Sequence, residues 1–265
     1  MTRAKFDNLV KQFQAAQGLS PADLAALEPY RAKRAIFLAA GFGSRLAPVT
    51  LTTPKPLVRV NGVRIIDTAI DACLAAGIRE IYIVRGYLAE QFDVLLEKYP
   101  MIQFLENPSY NSANNISSAY LARDLLENAY VLEADLLINN PTIIRKYHYH
   151  SDVLGIWKEE SDDWCLVPDD DGFVAEETLG NAECYQMVGI YYWNQQDGKK
   201  LQKDIQDAFD NLSNGRDKYW ETIPNQVHQG EYKIEIIPCS QTDVIEIDTL
   251  EELRQIDTSY IYRRA

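Results

Sequence analysis

The sequence predicts an α/β fold, a mainly parallel sheet flanked by helices with an antiparallel second half, and three observations predict it. From Ala35 to about residue 135, short apolar runs alternate with helix-spaced segments, the pattern of parallel strands joined by helices on both faces. The first run, Arg34-Ala35-Ile36-Phe37-Leu38-Ala39-Ala40, ends in Gly41-Phe42-Gly43-Ser44, as a buried strand feeding a turn would. After about residue 150, apolar runs are separated by Asp/Gly/Pro turns instead, which predicts antiparallel strands.

In chain order, Phe6, Leu9, Val10 and Phe13 carry helical spacing, and Ser20-Pro21-Ala22-Asp23 lets serine cap a second helix with proline and aspartate in its first turn. Residues 1–33 are thus a helical extension ahead of a domain covering 34–265. Residues 65–76 are helical by spacing and stop at Gly77; 80–84 form the second strand; 88–99 read as an amphipathic helix. Residues 103–105 are a short strand, a polar loop spans 107–115, a helix runs from 116 to about 126, and 130–135 is the fourth strand. Residues 153–157, 164–167 and 184–193 are the antiparallel strands, 199–211 is helical, and 244–248 is a last strand before a helix at 250–256.

Composition narrows the function. The chain has 265 residues, 46% of them hydrophobic, enough for a sizeable core. Its 39 acidic against 26 basic residues give a formal charge of -13, which argues against non-specific nucleic-acid binding. No apolar run nears the ~20 residues of a membrane span and no signal-peptide core opens the chain, so no membrane partner and a cytoplasmic location are expected. Cys73, Cys165, Cys184 and Cys239 are widely spaced without a Cys-x-x-Cys pair, which suggests buried thiols. His148, His150 and His228 lack a third ligand in metal-binding spacing and read as structural or surface residues.

The chemistry concentrates at the first strand's carboxyl end, where ligands of such sheets bind. A phosphate needs clustered N–H donors and positive charge; Gly41 to Ser44 supply the first, Arg45 and Lys55 the second. Pro54 and Pro56 hold Lys55 with little backbone slack. Leu46 stands where the dinucleotide fingerprint wants a small residue, and Gly-Lys-Ser/Thr is absent, so both of those alternatives are disfavoured. Asp135 and Asp248 each end an apolar strand, where a carboxylate needs a partner; each alone reads equally well as a helix cap, but together with the loop they favour Mg2+. Strand periodicity puts Glu133 and Glu246 on the same faces, leaving the ligand set open.

Residues 38–57, with Gly86-Tyr87-Leu88-Ala89-Glu90-Gln91-Phe92, Asn114-Asn115-Ile116-Ser117-Ser118, Glu133-Ala134-Asp135, Asp163-Trp164, Tyr219-Trp220 and Glu246-Ile247-Asp248, resemble the nucleoside-triphosphate transferases that activate sugar phosphates and related alcohol phosphates. Within that group the chain is most similar to the bacterial CTP:phosphocholine cytidylyltransferases, over roughly residues 34–257. The resemblance implies a Rossmann-like mixed sheet, CTP as nucleotide and Mg2+ as cofactor. It implies Leu38, Ala40, Gly41, Gly43, Ser44 and Arg45 as nucleotide ligands, with Gly86 and Asn115 near base and ribose. Arg45 and Lys55 would serve the phosphates, and Asp135 and Asp248 the metal. Residues 34–150 would hold the nucleotide and about 151–257 the acceptor. Members of the group can be fused to a choline-kinase-like domain, and the sequence leaves both that and a homodimer open.

The residues agree with that chemistry. A phosphomonoester oxygen is already anionic near neutral pH, so attack on the α-phosphorus needs positioning and charge neutralisation more than a general base. The acceptor half is dense in aromatic and acidic residues, and a quaternary ammonium is bound best by aromatic faces, each worth ~0.5–2 kcal/mol, with carboxylates nearby. Lys55, Asp163, Trp164, Tyr192, Trp220 and Glu221 are the acceptor candidates, Trp164 and Trp220 foremost; core packing competes for the Tyr191-Tyr192-Trp193 run. Glu221 stands where the resembling group often has aspartate after Tyr-Trp, so phosphocholine is expected first, with 2-aminoethylphosphonate, phosphoethanolamine or a sugar 1-phosphate as alternatives. A nucleotide-sensing module without turnover is the remaining reading.

Overall fold

A computed structural model describes residues 1–261. Its elements in chain order are α1 (Arg3–Gln14), α2 (Pro21–Leu27), β1 (Arg34–Ala39), the hairpin β2 (Arg59–Val60) and β3 (Val63–Arg64), α3 (Ile65–Ala75), β4 (Glu80–Arg85), β5 (Ile102–Glu106), α4 (Ile116–Ala122), β6 (Ala129–Glu133), β7 (Leu136–Ile138), β8 (Ser151–Pro168), β9 (Val174–Trp193), α5 (Gln195–Asn211), β10 (Ile234–Cys239), β11 (Val244–Glu246) and α6 (Leu250–Ile256). Seven strands form the central sheet in the order β10-β8-β9-β6-β1-β4-β5. β1, β4, β5 and β6 are parallel, as are β8 and β10, while β9 runs antiparallel to β6 and β8. This is the mixed α/β sheet the sequence predicts.

The period of two along each strand builds a core on each face. Ala35, Phe37, Tyr130, Leu132, Ile190 and Tyr192 point to the face covered by α3. Ile36, Val131, Tyr191 and Trp193 point to the face covered by α4 and α5. A third cluster joins Leu46, Val58 and Val60 to Ile247 and Leu253, fixing the glycine-rich turn against the chain's final segment. The N-terminal helices form as expected, with Ser20 Oγ accepting from the Asp23 N–H at 3.1 Å, and pack Phe6, Leu9 and Leu27 against Tyr147. His148 is buried against Asp152, Nδ1 to Oδ2 2.6 Å, and stacks on Tyr192, so its role is structural.

Several expected elements change form. Residues 89–97 are tightly wound 3-10 turns instead of an α-helix: Leu88 adopts φ 49°, and Tyr87 and Gln91 hydrogen-bond to carbonyls of residues 50–52, pinning the segment to the loop before Lys55. The strand expected to reach Asp135 stops at Glu133, and the one expected to reach Asp248 stops at Glu246, so both aspartates lie just past strand ends. The three short antiparallel runs belong to two long, bulged strands. Tyr185 and Gln186 pair with Trp157 and Ile156 on one side and with Leu166 and Cys165 on the other. This fold-over brings Cys165 and Cys184 together as free thiols, Sγ to Sγ 2.7 Å.

Candidate active site

The glycine-rich turn is shaped by one strict requirement. Gly43 sits at φ 60°, and a Cβ there would lie 2.8 Å from the Lys55 Cβ, so a larger residue would meet both backbone strain and a clash. Around Gly41 a Cβ would meet no protein atom within 4 Å, so that stretch of backbone faces open cavity. Thr50 donates to the Gly43 carbonyl at 2.9 Å, while Leu46, fully buried, anchors the other end of the turn.

Pro54 and Pro56 deliver Lys55 inward, with its whole residue 8% exposed. Its Nζ donates to Asp135 Oδ2 at 2.6 Å and to Asp248 Oδ1 at 2.8 Å, and Arg45 Nη2 donates to the same Asp248 oxygen at 2.8 Å. Asp135 and Asp248 meet because β7 pairs antiparallel with β11, Leu136 opposite Glu246, and Ile247 N–H bonds the Asp135 carbonyl at 3.2 Å. Burial works against the Lys55 charge, yet the adjacent carboxylates outweigh it and hold its pKa above the ordinary lysine value. Asp248 is held low against burial by Lys55 and Arg45.

Two adjoining cavities open from this point. The larger, about 320 Å³, is lined by Leu38, Ala40, Gly41, Gly43, Ser44, Arg45, Lys55, Asn115, Asp135 and Asp248, together with Tyr110 and Asn114. Gly86 lies behind its wall: a Cβ there would be 2.7 Å from Tyr110 and 3.0 Å from the Ala40 carbonyl, so its role is close packing beneath the cavity. The smaller cavity, about 210 Å³, shares Arg45, Glu133 and Asp248 with the first and adds Asp163, Trp164, Glu177, Met187, Tyr219, Glu221 and Glu246. Asn115 ties the two together: its Nδ2 donates to the Glu221 carboxylate at 3.2 Å, and its Oδ1 accepts from the Trp220 N–H at 2.8 Å.

Two acceptor candidates are corrected. Tyr192, 1% exposed, stacks on His148 and donates to Asn128 Oδ1 within the core. Trp220, also 1% exposed, packs edge-on against Tyr191 and Trp193 beneath the cavity floor. The turn at 219–222 throws Tyr219 and Glu221 toward the cavity and Trp220 away from it, so Tyr219 is the ring that meets Trp164, edge-on at 64° with centroids 6.2 Å apart. Asp163, Trp164 and Glu221 do line the cavity.

The residues missed by the sequence reading are Glu177, Met187 and Tyr110. Glu133 and Glu246, left open there as metal ligands, are brought with Asp135 into one cluster whose carboxylate oxygens lie within 4.8 Å of one another. Burial, reinforced by the Asp135 and Asp248 charges, pushes Glu246 up to about 9, and burial raises Glu133 well above the carboxylate range. Asp135 Oδ1 is buried and without a hydrogen-bond partner among the described residues. Lys55 already sits where these acids converge, so the donor set suits a second cation. A separate cluster, Asp204, His228 and Glu231, already contains Lys200 Nζ, 2.5 Å from Asp204 and 2.8 Å from Glu231.

Glu177 is pushed up to about 7 by burial. An unfolded glutamate titrates near its ordinary value of 4.5, so between there and pH 7 the folded chain retains a proton the unfolded chain has lost. Stability therefore falls as pH rises through that window, by up to ~3 kcal/mol. Glu177→Gln is expected to abolish that fall and to be the more stable protein at pH 8, by urea unfolding at pH 5 and pH 8. Parallel pH dependence in the two proteins would contradict it.

Residues 34–162 match the Nucleotidyl transferase family. A 2-aminoethylphosphonate cytidylyltransferase from Lancefieldella rimae is 38% identical over 231 residues, covering 86% of this chain and 93% of that one. A choline-phosphate cytidylyltransferase from Streptococcus pneumoniae is 32% identical over 228 residues, covering 84% and 96%. The solved structure of the CTP:phosphocholine cytidylyltransferase from Streptococcus pneumoniae superposes with a TM-score of 0.78 at 30% identity, covering 86% of this chain and 99% of that one. With a glycine-rich turn, an inward lysine and two strand-end aspartates already converging on one point, the chain belongs to the nucleotidyl transferase family and is a nucleotidyltransferase.

Proposed function

We propose that this protein transfers CMP from CTP to a small phosphonate or phosphate ester carrying a primary ammonium, with 2-aminoethylphosphonate as the leading acceptor. The observation that carries this is the wall of the smaller cavity: carboxylates from Asp163, Glu133, Glu177, Glu221 and Glu246 against two rings, Trp164 and Tyr219. A primary ammonium has N–H donors to spend on carboxylates; a trimethylammonium has none and relies on aromatic faces. The reading that favours phosphocholine, with Trp164, Tyr192 and Trp220 as its rings, loses Tyr192 and Trp220 to the core. The 38% identical relative acts on 2-aminoethylphosphonate by its name. Phosphocholine is the second reading, supported by the Trp164–Tyr219 corner and by the choline-phosphate relative.

In this reading the larger cavity takes the nucleotide, with the turn's N–H groups and Arg45 toward the triphosphate. Lys55, at the seam of the cavities, neutralises charge where the acceptor's anionic oxygen meets the α-phosphorus. Asp135 and Asp248, with Glu133 and Glu246 beside them, would hold Mg2+, which when bound supplies further neutralisation of phosphate charge. Apart from Asp248, the lining of the nucleotide cavity comes from residues 38–135, and most of the acceptor cavity comes from residues 163–248. No helix among the described residues is long and apolar enough to cross a membrane.

Pyrophosphate release with CTP, measured against 2-aminoethylphosphonate, phosphoethanolamine, phosphocholine and a sugar 1-phosphate, tests the proposal. The highest kcat/KM is expected with 2-aminoethylphosphonate. A higher value with phosphocholine would reverse the two readings, and turnover confined to the sugar phosphate would refute both.

A further inference from the structure

The acids around the smaller cavity are not equivalent. Asp248 is engaged by Lys55 and Arg45, and Glu133 and Glu246 crowd Asp135 at the phosphate end. Asp163 is satisfied locally, accepting from the Trp164 N–H at 2.7 Å and from Gln186 Nε2 at 3.0 Å. Glu221 is held by Asn115 and faces Glu133. Glu177 differs from all of these. It is 6% exposed, lines the cavity with Trp164 and Tyr219, and is held by two neutral amides, Asn225 Nδ2 at 3.3 Å and Gln226 Nε2 at 3.1 Å.

Among the described residues no cation pairs with Glu177, and the carboxylate it faces is Glu221, which adds repulsion. A buried acid without a counter-charge lowers stability and contributes nothing to packing that glutamine would not. Such a group in a ligand cavity is explained when the ligand brings the missing charge.

We infer that Glu177 is the specificity-determining residue of the acceptor cavity: its carboxylate accepts N–H hydrogen bonds from the acceptor's ammonium and selects a primary amine over a trimethylated one. The inference rests on the smaller cavity being the acceptor site. Asn225, itself buried, donates to Oε1 and Gln226 to Oε2, which sets the orientation of a carboxylate that lines the cavity. The burial of Glu177, 6% exposed, shields the bond from water and raises its worth. Glu221, bonded through Asn115 to the nucleotide side, contributes charge but is tied to the neighbouring cavity.

Steady-state kinetics of the full chain with CTP and either 2-aminoethylphosphonate or phosphocholine test it. Glu177→Gln keeps size and amide contacts and is expected to raise the KM for 2-aminoethylphosphonate roughly 10- to 100-fold, the loss of one charge-assisted hydrogen bond. The KM for CTP is expected to stay at the wild-type value, and the KM for phosphocholine to change less. The preference between the acceptors then shifts toward phosphocholine, and Glu177→Asp, which keeps the charge, recovers part of it. An unchanged acceptor preference, or CTP and acceptor KM rising together, would overturn the role of Glu177 alone. Failure of the wild-type chain to use any ammonium-bearing acceptor would overturn the acceptor-site reading and this inference with it.

Discussion

Lys55→Ala is expected to lower turnover roughly a thousandfold, the loss of a preorganised charge aimed at a developing anion. The reason lies in how few positive groups serve the site. In a chain of formal charge -13, Lys55 and Arg45 are the cations shared between the strand-end aspartates and the nucleotide cavity. Arg45 is mostly exposed, its side chain 67% accessible, so water screens it; the Lys55 side chain is 10% accessible and acts at lower dielectric. Binding of CTP, read by calorimetry, is expected to weaken far less than kcat falls, because the backbone donors around Gly41 to Ser44 remain. The fold is expected to survive, since Asp248 keeps Arg45 and both aspartates retain some access to water. Turnover near the wild-type rate in a folded Lys55→Ala protein would remove this lysine from the reaction.

What the sequence made legible follows from the range of the forces involved. The glycine-rich loop is local: two glycines, an arginine and a proline-flanked lysine within fifteen residues, all of which line one cavity. Asp135 and Asp248 were legible as strand-end acids, but their meeting was not. It depends on two three-residue strands, β7 and β11, pairing across a hundred residues of chain, a tertiary event that leaves no periodic trace.

The acceptor side was read less well, for a reason of parity. Tyr219-Trp220-Glu221 alternates sides, and sequence alone does not say which side is the cavity, while both faces of Tyr191-Tyr192-Trp193 are core. The structure sends Tyr192 and Trp220 to the core and Tyr219 and Glu221 to the smaller cavity. Glu177 was hidden differently: Glu176-Glu177-Thr178 carries no apolar period or motif that marks it as buried. Its burial arises because β9 folds back beside β8 and the turn at 223–227 closes over it. The shortened 88–99 segment shows the same limit, since its spacing is helical and tertiary hydrogen bonds override it.

Removing divalent cations and removing Asp135 are expected to abolish turnover through one shared cause, so their effects should not add. Asp135 presents one oxygen to Lys55 at 2.6 Å and leaves the other buried and without a partner among the described residues, while Glu133 and Glu246 carry oxygens within 4.8 Å. Lys55 and Arg45 face four acids, Glu133, Asp135, Glu246 and Asp248, a crowding that holds Glu133 and Glu246 far above the usual carboxylate range, and CTP brings more negative charge still. A hard dication is the partner such oxygen donors suit, and Mg2+ characteristically takes few protein carboxylates and completes its shell with phosphate oxygens. Chelation is therefore expected to cost several kcal/mol of barrier, roughly a thousandfold or more in rate, with full recovery on adding Mg2+. Asp135→Ala should be impaired to a similar degree, recover partly at raised Mg2+, and lose little more on chelation. Two outcomes would refute a shared cation: full activity of the wild-type protein in chelator, or a chelated Asp135→Ala protein slower by the product of the separate losses, since independent effects multiply.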